Sequence, residues 1–281
     1  MSDMSTYNDF ETKKEFRIGY ALSGGFIKGF AHLGVMQALL EHDIKPDIIS
    51  GTSAGALAGV FYADGNEPHK VVDFFIKHKF MDLTSFAAST AGLFKLKDFM
   101  DFLKANIKAK QLEELEIPVV ITASDLDHGK CVHFRKGSIP ELVAASCCMP
   151  IMFAPVTING VNYVDGGVFK NLPVSTIRKE CEKVIAINVS PIEAKEYKKN
   201  VINIATRSYH FMFRANTFPD RENCDLLIEP YGLKGYSNRE LEKAEEIFEQ
   251  GYKVGNEILE KLINEKGTIW KTPKVTKVME K

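Results

Sequence analysis

Gly51-Thr52-Ser53-Ala54-Gly55 sets a serine between two glycines, with the short run Ile48-Ile49-Ser50 before it and an Ala-rich stretch to Ala63 after it. A strand that turns sharply into a helix at such a sequence presents the serine hydroxyl at a sheet edge. The start of the helix adds positive potential where negative charge develops. That combination suits acyl transfer, in which a hydroxyl attacks a carbonyl, a base takes its proton and backbone N–H groups hold the oxyanion. Gly51 and Gly55 allow strained backbone angles and close helix packing around Ser53. A tight connection with no catalytic role is the plainer reading of the same five residues; the strand and helix around them favour the catalytic one.

An oxyanion needs donors, and Gly24-Gly25 lies between a short strand, Phe16 to Leu22, and a helical stretch from Ile27 to His42. Glycine there lets a substrate oxygen approach the main chain, and the following helix contributes unpaired N–H groups. Phe26 occupies the place of the second glycine of a dinucleotide fingerprint and no Walker pattern is present, which makes nucleotide binding a weak alternative. Lys28 sits in the first helical turn, where a cation opposes the dipole; a solvated lysine and an anchor for an anionic headgroup both fit it. Asp165 ends the strand Val161 to Val164 and precedes Gly166-Gly167, which let a partner backbone come close. An aspartate of ordinary pKa, about 3.9, is a poor base for serine, so partial burial would have to raise it. Taken alone, an Asp-Gly turn is the simpler account of Asp165. A Ser-His-Asp triad is disfavoured. His210 is the sole histidine after Asp165, in an aromatic stretch that reads as a core helix, and a single strand and helix precede the strand leading to Ser53.

These residues need a frame. The unit of strand, glycine turn and helix occurs twice near the start, which implies a parallel sheet with helices on its faces and ligands beyond the carboxyl ends of its strands. Pro68 to His78 and Lys97 to Ile107 read as amphipathic helices, with an apolar stretch of uncertain structure from Phe80 to Phe94 between them. Pro118 to Ala123 and Cys131 to Phe134 read as a hairpin through Asp127-His128-Gly129. Ser138 with Pro140 starts a short helix to Ala145, and Pro150 and Pro155 keep the next segment extended. Lys183 to Val189 and Leu226 to Ile228 suit buried strands. Arg239 to Ile263 reads as a helix opened by a capping box of Ser237 and Glu240. The whole is read as one domain: a polar leader (1–15), a core (16–190) and a C-terminal strand and helices (191–281) that complete it.

Composition narrows the classes. Lys plus Arg (36) balances Asp plus Glu (37), so no broad basic surface is expected for nucleic acid. Five cysteines do not make a disulfide framework in 281 residues, and no Cys or His pair has the spacing of a zinc knuckle; no metal is assigned. The first fifteen residues lack the apolar segment of a secretory signal, and no apolar run approaches the length of a membrane span. A reducing, cytoplasmic setting is expected, in which a lipid would be met at a membrane surface or as a dispersed molecule.

Leu22-Ser23-Gly24-Gly25-Phe26-Ile27-Lys28-Gly29 leading to Val35, then Gly51 to Gly55, then Asp165-Gly166-Gly167 with Asn171-Leu172-Pro173, together resemble the patatin-like phospholipase family, especially its small bacterial members. Ala144-Ala145-Ser146 with Pro150 also fits. The resemblance runs from Arg17 to Asn188, and less specifically to Tyr252. It implies a three-layer α/β/α fold with a mostly parallel sheet, a Ser53-Asp165 dyad without histidine, an oxyanion hole at Gly24, Gly25 and Phe26, hydrolysis of fatty acyl esters and no cofactor. Lys28, Gly29, Gly166 and Gly167 fall in its supporting positions. Phe26 departs from the family's third glycine, and a bulky residue there is strained at any positive φ. That departure motivates a second reading, a lipid-binding or regulatory protein with weakened catalysis.

Overall fold

The computed structural model describes residues 14–77, 96–190, 197, 199–233, 236, 241–267 and 270. The strands are β1 (Phe16–Leu22), β2 (Ile48–Thr52), β3 (Val119–Asp125), β4 (Lys130–Phe134), β5 (Val156–Ile158), β6 (Val161–Asp165), β7 (Cys181–Ile187) and β8 (Leu226–Ile228). The helices are α1 (Phe30–Glu41), α2 (Ala54–Ala63), α3 (Pro68–Lys77), α4 (Lys97–Asn106), α5 (Ile139–Cys147), α6 (Val201–Ala215), α7 (Phe218–Glu222) and α8 (Ala244–Lys266). The strands form one sheet in the order β5-β6-β3-β2-β1-β7-β8, with β4 on the other edge of β3. The strands β3, β2, β1, β7 and β8 run parallel, while β4 and β6 pair antiparallel to β3 and β5 antiparallel to β6. The expected mostly parallel α/β sheet flanked by helices is therefore present.

Period-2 alternation assigns the two faces. On β1, Ile18, Tyr20 and Leu22 enter the main core, and on β7 Ile185 and Ile187 do so. Ala21, Val184 and Ala186 face the other way, under Leu172, Val174 and Ile177. Helices α1, α2, α3, α4, α5 and α8 all contribute to the main core. The second face is covered by the segment 171–177, which carries a 3-10 turn at Val174–Thr176, and α7 is held to that segment through Asp220 and Ser175. Helix α8 lies on α1 at backbone contact. A Cβ at Gly34 would stand 2.0 Å from the Phe248 carbonyl oxygen, and one at Gly251 would stand 2.3 Å from that of Ala31.

Several elements depart from the sequence expectation at their ends. Residues 26–29 form a 3-10 turn and the α-helix starts at Phe30, because the chain must first pack Gly29 against Ala54, where a Cβ would lie 2.7 Å from the alanine methyl. The segment after Pro155 is a short strand, β5, paired to β6. The long C-terminal helix begins at Ala244 after a 3-10 turn at Leu241–Lys243. The expected capping box of Ser237 and Glu240, the stretch from Phe80 to Phe94 and most of the polar leader lie outside the described residues.

Candidate active site

The sheet register brings the two predicted side chains together. Thr52 of β2 pairs with Thr122 of β3, and the next residue of β3, Ala123, pairs with Asp165 of β6. Residues 121 to 125 of β3 pair with β4 as well, so β2 and β6 must share the remaining edge of β3 in succession. Where β2 leaves that edge at Ser53, β6 arrives at it with Asp165. Gly166 makes this handover possible, since a Cβ there would lie 2.3 Å from the Thr122 carbonyl oxygen.

Ser53 holds φ 53° and ψ −120°, a strained conformation for a residue with a side chain. The flanking glycines do not carry that strain. They supply room: a Cβ at Gly51 would sit 2.5 Å from the Ala56 backbone, and one at Gly55 would sit 2.3 Å from the Leu22 carbonyl oxygen. Strain is held at Ser53 by packing on both sides and by Ser146, whose Oγ accepts the Ser53 N–H at 2.8 Å and donates to the Thr122 carbonyl at 2.7 Å. Ser53 is only 7 % exposed and stands at the N-terminus of α2.

Asp165 is 1 % exposed. Its N–H donates to the Cys148 carbonyl and its own carbonyl accepts from Ser124 Oγ, which fixes the backbone. Oδ1 accepts the Gly167 N–H at 2.8 Å. Burial pushes the carboxyl up to about 7, opposed by the Gly167 N–H and by the Ser53 hydroxyl. Oδ2 has no hydrogen bond of full geometry, so the Ser53 hydroxyl faces the carboxyl without closing on it, a looseness common in unliganded sites. The hydroxyl also interacts with the Cys147 thiol, which burial first and then the Asp165 charge hold far above the ordinary thiol range. That thiol stays protonated.

The glycine turn reaches the same place from the other side. Ser23 N–H donates to the Ile187 carbonyl, Val189 N–H to Ser23 Oγ, and Ser190 Oγ to the Gly24 carbonyl at 2.6 Å, which clamps the turn to the end of β7. His32, fully buried, donates through Nε2 to the Ser23 carbonyl at 2.8 Å, and burial lowers it to about 4, so it stays neutral. One expectation needs correction. The Gly24 N–H donates to the Asn171 carbonyl at 3.1 Å and is therefore engaged within the protein. Gly24 instead gives room, because a Cβ there would meet Asn171 Oδ1 at 2.5 Å and Ser53 Cβ at 3.3 Å. The N–H groups of Gly25 and Phe26 make no hydrogen bond among the described residues, which leaves them as the donors of this turn. Phe26 does take the left-handed conformation, φ 52°, and its ring stands edge-on to His210 at 6.4 Å.

His210 is not the core residue expected; it is exposed beside Phe26, with no hydrogen bond to Ser53 or Asp165 among the described residues. Lys28 is half-buried on the 3-10 turn. Gly167 lies under α6, where a Cβ would press 2.5 Å into the Phe213 ring. Ser146 and Asn171 enter from the sequence only through the family resemblance, and Tyr209 only as part of an aromatic stretch, none with a role in this site. Asn171 is buried with both amide atoms unpartnered. Tyr209 is buried on α6 with an unpartnered hydroxyl. No periodicity marks any of them. Among the described residues no cluster of three metal-ligating side chains occurs, and no helix is long and apolar enough to cross a membrane.

A family model described as patatin-like phospholipase matches residues 20–177, more than half of the chain. An uncharacterized NTE family protein of Mycobacterium tuberculosis is 28 % identical over 204 residues, which cover 72 % of this chain and 57 % of the relative. Lysophospholipase NTE1 of Candida albicans is 24 % identical over 75 % of this chain and 16 % of its own length. Patatin-like phospholipase domain-containing protein 7 of Rattus norvegicus is 26 % identical over 85 % of this chain and 20 % of its own. The chain thus spans little more than half the length of the curated relatives it matches, or far less. Among solved structures, VipD from Legionella pneumophila superposes with a TM-score of 0.49 at 16 % identity, covering 88 % of this chain and 67 % of that one.

Proposed function

The chain belongs to the patatin-like phospholipase family, and from that premise we propose that it hydrolyses fatty acyl esters of phospholipids or lysophospholipids, with Ser53 as nucleophile and Asp165 as its base. The observation that carries this reading is the pairing of a strained serine at a helix start with a buried aspartate whose carboxyl is raised to about 7. A base of that pKa is half ionised near neutral pH and accepts a proton far better than an ordinary aspartate. Asp165 takes the Ser53 proton as Oγ attacks the acyl carbonyl. The Gly25 and Phe26 N–H groups hold the oxyanion. Asp165 then returns the proton to the departing alcohol, leaving acyl-Ser53, and water completes the cycle with the same aspartate as base. Burial, and then the Asp165 charge, disfavours the Cys147 thiolate.

Lysophospholipids are included as substrates because one relative is named a lysophospholipase. Helix α6 exposes Val201, Ile204, Phe211 and Met212, an apolar surface suited to lipid at a membrane face. The test is a lipid-panel hydrolysis assay of the wild type, Ser53→Ala and Asp165→Asn. Fatty acid release by the wild type with loss in both variants supports the reading; undiminished turnover in Ser53→Ala overturns it. The positive φ of Phe26 favours a second reading, a lipid-binding protein of weakened catalysis. A fluorophosphonate probe separates the two, since only an activated Ser53 is labelled.

A further inference from the structure

Helix α6 crosses above the turn that follows Asp165. Tyr209 and Phe213 are four residues apart and share one face, with ring centroids 4.2 Å apart. The Phe213 ring rests on Gly167, whose N–H holds Asp165 Oδ1. Tyr209 therefore lies one helical turn from the ring that touches the loop after Asp165, stacked on that ring. Phe213 shows that packing at this place is served by a plain aromatic ring. Tyr209 is 4 % exposed, and its hydroxyl is buried without a hydrogen-bond partner, as is Asp165 Oδ2.

Both atoms are buried and unpaired, and the Asp165 charge acts on the Tyr209 phenol. A buried polar group left unpaired is costly, and unpaired groups of this kind concentrate where a ligand atom or ordered water completes the set. Burial, then the charge of Asp165, holds the Tyr209 phenol far above its ordinary range, so it remains an O–H donor while the carboxylate remains an acceptor. A direct hydrogen bond would satisfy both, yet they do not make one. One small polar molecule reaching both atoms would.

We propose that the Tyr209 hydroxyl and Asp165 Oδ2 together hold the water that releases the acyl group from Ser53, making Tyr209 a third catalytic residue that acts in deacylation. The water oxygen bonds to the acyl carbon while its proton passes to Asp165. The bond between that carbon and Ser53 Oγ then breaks, Oγ recovers the proton from Asp165, and the fatty acid departs. Tyr209 gives and takes no proton; it orients the water through one hydrogen bond. Acylation uses the same aspartate and does not require the phenol.

The inference rests on the Ser53-Asp165 reading, and burst kinetics separate the two. With a chromogenic fatty acyl ester, the wild type should show a burst and then steady turnover. Tyr209→Phe keeps the ring stack and removes one oxygen. Its burst rate should stay within about twofold of the wild type while steady turnover falls at least about tenfold, the scale of one lost hydrogen bond. Acyl-Ser53 should accumulate by intact-protein mass, and added hydroxylamine, which attacks without being positioned, should restore most of the turnover. If the phenylalanine variant does not fold, Tyr209→Met tests the same split with a side chain that adapts to irregular space. Burst and steady phases that fall together, or that both stay unchanged, overturn the role of Tyr209. A wild type without burst or acyl adduct sinks the dyad reading itself.

Discussion

Replacing Asp165 by Asn should stabilise the fold while it abolishes hydrolysis, and the gain should appear only as pH rises. The carboxyl is 1 % exposed and raised from 3.8 to about 7 by burial. The folded protein thus binds this proton more tightly than the unfolded chain does, and stability falls with pH wherever that difference is felt. The sign follows directly: the contribution is fully present below about pH 4, shrinks as pH climbs, and is lost once pH has passed about 7. The displacement corresponds to about 4 kcal/mol. Asparagine keeps an oxygen for the Gly167 N–H and has no charge to desolvate. Urea unfolding of wild type and Asp165→Asn at constant ionic strength should give nearly equal free energies at about pH 4 and a difference of about 4 kcal/mol in favour of the variant at about pH 8. In parallel, kcat/KM of the wild type should rise with pH and reach half its plateau near 7, since the base must be ionised. A stability difference independent of pH, or one that shrinks on the alkaline side, would refute the burial argument.

Ser146→Ala removes the acceptor of the Ser53 N–H and the donor to Thr122; thermal unfolding should report a loss of about 2 kcal/mol, and kcat should fall more than KM rises. Gly34→Ala drives a methyl to 2.0 Å from the Phe248 carbonyl oxygen, so α1 and α8 must part at a cost of about 3 kcal/mol. Gly255→Ala, which would meet the Ala38 methyl at 3.0 Å and the Val35 backbone no closer than 3.4 Å, should be milder in the same denaturation assay. Phe26→Gly relieves a φ of 52° and clears a ring from the turn, so fluorophosphonate labelling of Ser53 should speed up severalfold; slower labelling would show that the ring assists.

The elements of the candidate site were legible because each is punctuated by glycine at a change of backbone direction. Gly51 and Gly55 frame Ser53, and Gly166 and Gly167 follow Asp165. Their proximity was not legible, because it depends on β3 offering one edge first to β2 and then to β6. No local pattern encodes that exchange. The role of Gly24 was not legible for a related reason: a glycine beside Ser53 can free an N–H or make room, and only the Asn171 carbonyl across from it decides. Tyr209 is core, as the aromatic stretch around it suggested, but a hydroxyl adds nothing to periodicity, so its unpaired oxygen was not legible. The strain expected of Phe26 at positive φ is present, a consequence of side-chain sterics readable from its place in the glycine segment.

The clamp on the glycine turn comes from β7 and from Val189 and Ser190, beyond the stretch that the family model matches. The stretch that the family model matches and the residues that clamp the turn thus have different borders. A recombination event that exchanged only residues 20–177 between relatives would carry nucleophile and base intact but graft them onto a foreign clasp. Inheritance of a working turn therefore requires that β7 travel with it, and drift at 189 and 190 can tune the turn without touching any recognisable motif.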